Sequence, residues 1–239
     1  MNKIHWRFIT GTKKRVTSFM LSSVIKKNAY SFLAASLNDL AQANKNKEIA
    51  SWYQSIDYFT TDGVPLAWYA RSERMYGPAL FSEVYARLPC VTRNVFLGPS
   101  ETTLSRLEAW AKTTNPNTRQ ESFVVPFHNN LKQFFAEIQK TKPNAVWIGI
   151  GSPRQAHIAK LLKPLLPHAT IICVGAAFEL VTEIKPMAPT WMQRAGLEWM
   201  FRLTTEPGRL WRRYLIDIPW FLISFFMRKT NVSSENFSA

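Results

Sequence analysis

Two stretches of this 239-residue chain carry residue types that could do chemistry. In the first, Asp62 follows an apolar run from Ile56 to Thr61 and precedes Gly63. That order puts a carboxylate at the end of a strand, facing a cleft. Partial loss of solvent there raises a carboxyl pKa and makes a general base. The same position suits a helix N-cap, and residue type alone favours that role. The second stretch is Asn144-Ala-Val-Trp-Ile-Gly-Ile-Gly151-Ser-Pro-Arg-Gln155. It reads as strand, glycine turn and helix. Backbone N–H groups at such a turn, Gly149 and Gly151 included, meet an anion well, because the helix dipole favours negative charge. Arg154 and Gln155 stand where they add side-chain donors. An ordinary strand–helix junction, packed close by its glycines, accounts for the same residues.

Other chemistries lack their residues. The four histidines, His5, His128, His157 and His168, show no metal-ligand spacing, and His157 reads as a solvated helix residue. No Asp-x-Asp pair is present to hold a nucleotide-bound divalent ion. No P-loop, Gly-x-Ser-x-Gly elbow or Gly-x-Gly-x-x-Gly fingerprint occurs. Neither a metal nor a cofactor is expected. Cys90 and Cys173 lie among apolar residues, which predicts buried free thiols in a reducing compartment.

The elements that must position Asp62 and the glycine turn alternate along the chain. Strands are expected at 30–35, 56–61, 94–97, 121–125, 146–151 and 170–176. Helices follow at about 37–53, 64–71, 78–88, 100–111, 131–138 and from Ala156 onward. Strands ending at Gly98, at Gly149 and Gly151, and at Gly175 place a ligand beyond their carboxyl ends. The pattern predicts an α/β, Rossmann-like, mostly parallel sheet with helices on both faces. Residues 1–28 read as a loosely held start containing a strand or short helix.

Charge is uneven. The net charge is +14, and residues 1–38 hold seven Lys and Arg and no acid. Such a balance suits a polyanion: nucleic acid, an anionic membrane or a phosphorylated substrate. After Pro189 the chain is dense in Arg and aromatics, Arg202, Arg209, Arg212 and Arg213 among them. The apolar run 215–227 is about 13 residues, short of the roughly 20 that span a bilayer. Flanked by Arg212, Arg213, Arg228 and Lys229, it reads as an interfacial segment, with Trp220, Phe221, Phe225 and Phe226 in the lipid. A C-terminal helix docked on the core is the other reading. No secretory signal is visible, since 19–25 is too short and interrupted.

Taken together, Ser36 and Asn38, Thr61-Asp62-Gly63-Val-Pro, Glu73-Arg74-Met-Tyr-Gly77-Pro, the Gly149–Gln155 run, Gly175-Ala-Ala-Phe178, Ala188-Pro-Thr-Trp191-Met and Gly196-Leu-Glu-Trp-Met-Phe-Arg202 through Arg213-Tyr214 resemble the WecG/TagA/CpsF family of bacterial glycosyltransferases. The likeness runs over residues 30–215, and 188–214 is its most specific part. The resemblance implies inverting transfer from a UDP-sugar to a polyprenyl-diphosphate-linked saccharide. It places the enzyme in the cytoplasm, peripherally on the inner membrane, and allows a homo-oligomer. It implies Asp62 as base. It also implies that Ser36 (where Thr is usual), Asn38 and Gln155 line the site. Three positions depart from the family: Ala156 for Glu, Glu183 for Gly, and Met187 for an Arg that could pair with phosphate.

These readings combine into a catalytic domain at 1–195 and a helical, membrane-docking appendage at 196–239. Donor phosphates would meet Arg74, Arg154 and backbone near Gly98, Gly149 and Gly151. The acceptor diphosphate or lipid head groups would meet Arg202, Arg209, Arg212 and Arg213. Two rivals are a basic nucleic-acid-binding protein and a soluble nucleotide-sugar enzyme such as an epimerase. The first is disfavoured by an apolar C-terminus and by basic residues clustered at both ends. The second lacks a dinucleotide fingerprint.

Overall fold

The computed structural model describes residues 4–127, 131–227 and 232–238. Its centre is an all-parallel sheet in the order β5-β4-β6-β7-β2-β3-β1-β8. The strands are β1 (Ile4–Thr10), β2 (Ser31–Ala35), β3 (Tyr58–Thr61), β4 (Arg93–Gly98), β5 (Arg119–Val124), β6 (Ala145–Ile148), β7 (Thr170–Cys173) and β8 (Val232–Ser238).

The inner strands are near-continuous apolar runs because both faces are covered. Alternation sorts their side chains. Trp6, Phe8, Leu33, Phe59, Val95, Leu97, Val146, Ile148 and Ile171 point to one face. Ile9, Phe32, Tyr58, Phe96, Trp147 and Ile172 point to the other. Helices α1 (Lys13–Ile25), α5 (Gly77–Ala86), α6 (Glu101–Thr114) and α9 (Ala177–Val181) cover this second face. The first face is covered by α2 (Leu37–Lys45), α3 (Lys47–Gln54), α4 (Val64–Tyr69), α7 (Leu131–Thr141) and α8 (Arg154–Leu162).

The expected α/β sandwich is therefore observed, with a few differences. First, the start of the chain is not loosely held. Trp6 and Phe8 are fully buried, and β1 lies between β3 and β8. Its Trp and Phe alternate with His5 and Arg7, so period two outweighs the basic composition. Second, the long helix expected after Ser36 breaks at Asn46, whose side chain caps α3 through Glu48 and Ile49 N–H. Third, Cys90 is exposed, whereas Cys173 is buried as expected. His157 is half-buried and stacks on Trp52 at 4.6 Å rather than standing free in solvent.

After Pro189 come α10 (Thr190–Arg194), α11 (Glu198–Thr205), α12 (Pro207–Arg212), a π-type turn over Arg213–Asp217 and α13 (Ile218–Phe226). These helices return over the carboxyl ends of β2 and β3. Phe221 joins the core of the first face, and Lys45 of α2 ion-pairs with Asp217. The placement of Phe221 corrects the expectation that it enters lipid. At 2% exposure it is core, whereas Trp220 next to it is 64% exposed. Arg228 and Lys229 lie outside the described residues, as do the side chains of Phe225 and Phe226.

Candidate active site

Strand register builds the site. Ala35 pairs with Thr61, and the Asp62 N–H continues the ladder to Ala35 O at 2.7 Å. Ser36 and Asp62 therefore leave neighbouring strands side by side. Gly63 follows with φ +110, a conformation that favours glycine, and serves as the N-cap of α4. Asp62 is thus not the cap of that helix.

The next loop is tied to the same strand end. Met75 N–H donates to Thr61 O at 2.8 Å, and Thr61 Oγ1 donates to Glu73 O at 3.0 Å. Both bonds fix Arg74 beside Asp62. On the other side, Asp39 accepts from Ser36 N–H at 2.8 Å and from Ser36 Oγ at 2.6 Å. It also accepts from the Tyr53 hydroxyl at 2.6 Å. This capping box sets the entry angle of α2 and presents Asn38 to the cleft.

These ends open into a cleft of about 340 Å³. Its polar lining is Ser36, Asn38, Asp62, Arg74, Glu198, Arg202 and Arg213. Its apolar lining includes Leu37, Val64, Leu66, Trp199, Ile218 and Leu222. The α10–α13 segment thus supplies half of the wall. Arg74 Nη2 donates to Glu198 Oε2 at 2.5 Å, and Arg202 Nη2 reaches Glu198 Oε1 at 2.5 Å. Arg213 Nη2 donates to Ser36 Oγ at 3.2 Å.

The electrostatics follow from this crowding. Burial pushes the Asp62 carboxyl up to about 6. Arg202 and Arg74 pull it down, and Glu198 and Asp39 push it up. Arg202 is held above its ordinary value: burial works against its charge, but Glu198 and Asp62 outweigh that. The Tyr76 phenol beneath the Arg74 guanidinium is raised to about 12, first by burial and then by Glu198. A carboxyl raised to about 6 thus shares its cleft with three guanidinium groups. Such a site can accept a proton and neutralise an oxyanion at once.

The glycine turns lie elsewhere. Gly98, Gly149, Gly151, Arg154 and Gln155 do not line this cleft. A Cβ on Gly98 would meet Leu104 at 2.6 Å, and one on Gly149 would meet the Phe178 ring at 2.2 Å. Gly149 N–H donates to Leu97 O at 2.9 Å, so it is spent on the sheet ladder. Arg154 Nη2 donates to Val125 O and Pro126 O at 3.1 and 2.5 Å, with its guanidinium over the Phe127 ring. Gln155 is fully buried. Its Nε2 donates to Ser152 Oγ at 3.1 Å, and its Oε1 accepts from Gly175 N–H at 2.9 Å, so it braces the Gly151 turn against the Gly175 turn.

Arg209 and Arg212 also lie outside the cleft. Both are exposed, and Arg209 pairs with Glu206. Glu198, Trp199 and Tyr76 were not among the expected site residues, whereas Asp39 belongs to the N-cap cluster that the sequence marks before α2. Glu198 stood inside the quoted Gly196-Leu-Glu198 motif, but only the fold shows that it meets Arg74. Among the described residues no cluster of three or more His, Cys, Asp and Glu could hold a metal ion.

The family model of the glycosyl transferase WecG/TagA/CpsF family matches residues 4–235. The chain belongs to the WecG/TagA/CpsF family. As a WecG/TagA/CpsF member it is a glycosyltransferase of cell-surface polysaccharide synthesis. That class uses a nucleotide-sugar donor and a glycolipid acceptor. The match takes in both the sheet and the C-terminal helices, and hence both walls of the cleft. The structure shows the surroundings of Glu183, Met187 and Ala156, the three positions that the resemblance marks as departures. Glu183 has φ +57 just past the end of α9, a conformation that glycine adopts without strain. Met187 is exposed and does not line the cleft. Ala156 is fully buried on the first face of the sheet, where no carboxylate would be solvated.

Proposed function

We propose that this enzyme moves a sugar from a UDP-sugar to a saccharide linked to a polyprenyl diphosphate, by one inverting displacement. The observation that carries the reading is the shared cleft of Asp62, Arg74, Arg202 and Arg213. Asp62 takes the proton of the acceptor hydroxyl as that oxygen attacks the anomeric carbon. The bond to UDP breaks, and the departing diphosphate gains charge. Planar guanidinium groups match phosphate oxygens and meet that charge. Asn38 and Ser36 orient sugar hydroxyls.

The donor would lie across the carboxyl ends of β2, β7 and β6. Three strand spacings, about 14 Å, separate β3 from β6. A nucleotide held near the Gly151 turn, as braced by Gln155, then reaches Asp62 with its sugar. In this arrangement Gly98, Gly149 and Arg154 shape the turn rather than touch the substrate.

We further propose that 1–195, joined in its sheet by β8, is the catalytic domain, and that the helical stretch from 196 to 227 both closes the cleft and docks on anionic lipid at the cytoplasmic face of the inner membrane. Support comes from Ile216, Trp220, Ile223 and Met227, all exposed at i, i+4, i+7 and i+11. The exposed Arg209 and Arg212 precede this stripe. Apolar insertion and basic residues together suffice for peripheral attachment. No helix among the described residues is long and apolar enough to cross a membrane.

A donor screen tests this reading. The full chain is offered a panel of UDP-sugars and a short-chain lipid-diphosphate saccharide, and products are read by mass spectrometry. A single-sugar mass increment with inverted anomeric configuration is expected. Transfer only from a donor lacking UDP, or retention of configuration, would overturn it.

A further inference from the structure

Glu198 is 7% exposed and sits between two cations from opposite walls of the cleft. Its Oε2 takes Arg74, on the loop between α4 and α5, and its Oε1 takes Arg202, one turn further along α11. Each guanidinium also faces Asp62, which shares the same cleft. A half-buried carboxylate beside two free guanidinium groups would close on them as an ion pair and lose basicity. Here it does not have them to itself.

We propose that Glu198 is a positioning residue that holds Arg74 and Arg202 on its two oxygens, and so leaves the Asp62 carboxylate free to accept a proton. The inference rests on the reading of Asp62 as the base. It gives Glu198 two jobs. It fixes the guanidinium forks at the depth where a diphosphate would meet their remaining N–H groups. It also offsets their charge, so that two arginines near the base do not silence it.

The charges around Asp62 are consistent with this. Arg202, Arg74 and Arg213 bring three positive charges to the cleft and Glu198 brings one negative charge besides Asp62 itself, while Asp39 acts on Asp62 from outside the lining. Tyr76 is raised and stays neutral. Asp39 is already engaged by Ser36 and Tyr53, which leaves Glu198 as the anion that meets Arg74 and Arg202 directly. Arg74 is further held by its Nη1 bond to Gln193 O at 3.3 Å.

The test is kcat/KM against pH in the full chain, for the parent and Glu198→Gln. The amide keeps the shape and some hydrogen bonding but not the charge. Freed cations should pull the acid limb of the profile to lower pH by about one unit, and kcat at neutral pH should fall. An acid limb that stays in place in folded Glu198→Gln overturns the proposal, whatever happens to rate. Arg202→Gln supplies the opposite sign: with one cation gone and Glu198 partly released, the limb should move up. If Glu198→Gln fails to fold, an Arg202→Gln limb that stays or moves down is decisive against the proposal. Failure of the base reading itself looks different. There the parent would show no acid limb that Asp62→Asn removes.

Discussion

The hydroxyl of Ser36 and the guanidinium of Arg213, 177 residues apart, meet at 3.2 Å across the mouth of the cleft. One belongs to the turn after β2 and the other to the C-terminal helices. Their contact, with the Arg74–Glu198 pair, makes the two parts of the chain one site.

Arg213→Ala should therefore weaken catalysis without unfolding the sheet. A charge-assisted hydrogen bond to phosphate contributes about 1.5–3 kcal/mol, so kcat/KM should fall roughly 10- to 100-fold. Circular dichroism and a thermal melt would check that the fold persists.

The raised Asp62 carboxyl implies a stability effect with a definite sign. The folded-state value of about 6 lies above the ordinary 3.8. Stability from this group is fully present below about pH 4 and is lost as pH rises through 6. Asp62→Asn removes the penalty of ionising a desolvated carboxylate. At pH 7.5 the variant should be more stable by about 2 kcal/mol, discounted for the solvent that reaches the group. Near pH 4 the two melting curves should coincide. Equal melting temperatures at both pH values would mean that Asp62 is fully solvated.

Glu183 adopts φ +57 at the position after the α9 C-cap. Glycine adopts that conformation freely, and a side chain there costs about 1 kcal/mol. Glu183→Gly should raise stability by roughly that amount in urea denaturation and leave turnover unchanged. A loss of stability would show that the Glu183 side chain makes a compensating contact.

Exposed Trp220 and Ile223 give the membrane reading its test. Replacing both by Ser should reduce co-sedimentation with anionic vesicles and slow transfer to a long-chain acceptor, while transfer to a short-chain soluble one persists. Undiminished vesicle binding would mean that this stripe does not contact lipid.

Much of this site was legible in the residues. Asp62 before Gly63 marks a strand end whatever the tertiary packing, and an apolar run followed by a polar turn fixes it there. Arg74 and Arg202 were legible as cations in motifs. What the sequence concealed was which groups are spent. Nothing local to Gly149 shows that the Phe178 ring fills the space beside it, or that its N–H belongs to Leu97. Arg154 looks like a phosphate ligand until its two carbonyl partners after β5 are seen. Phe221 and Trp220 are adjacent and equally apolar, yet α13 turns one to the core and the other outward. The role of Glu198 depends on a partner 124 residues away, a distance that no periodicity reports.

The most direct measurement is kcat/KM against pH for the parent and Asp62→Asn, with the donor and acceptor identified by the screen. With Asp62 as the base, the parent rises about tenfold per pH unit below its limb near 6 and then levels. Asp62→Asn falls by about 10²–10⁴-fold and loses that limb. A folded Asp62→Asn enzyme that turns over near the parent rate, or that keeps the same acid limb, would contradict the central claim.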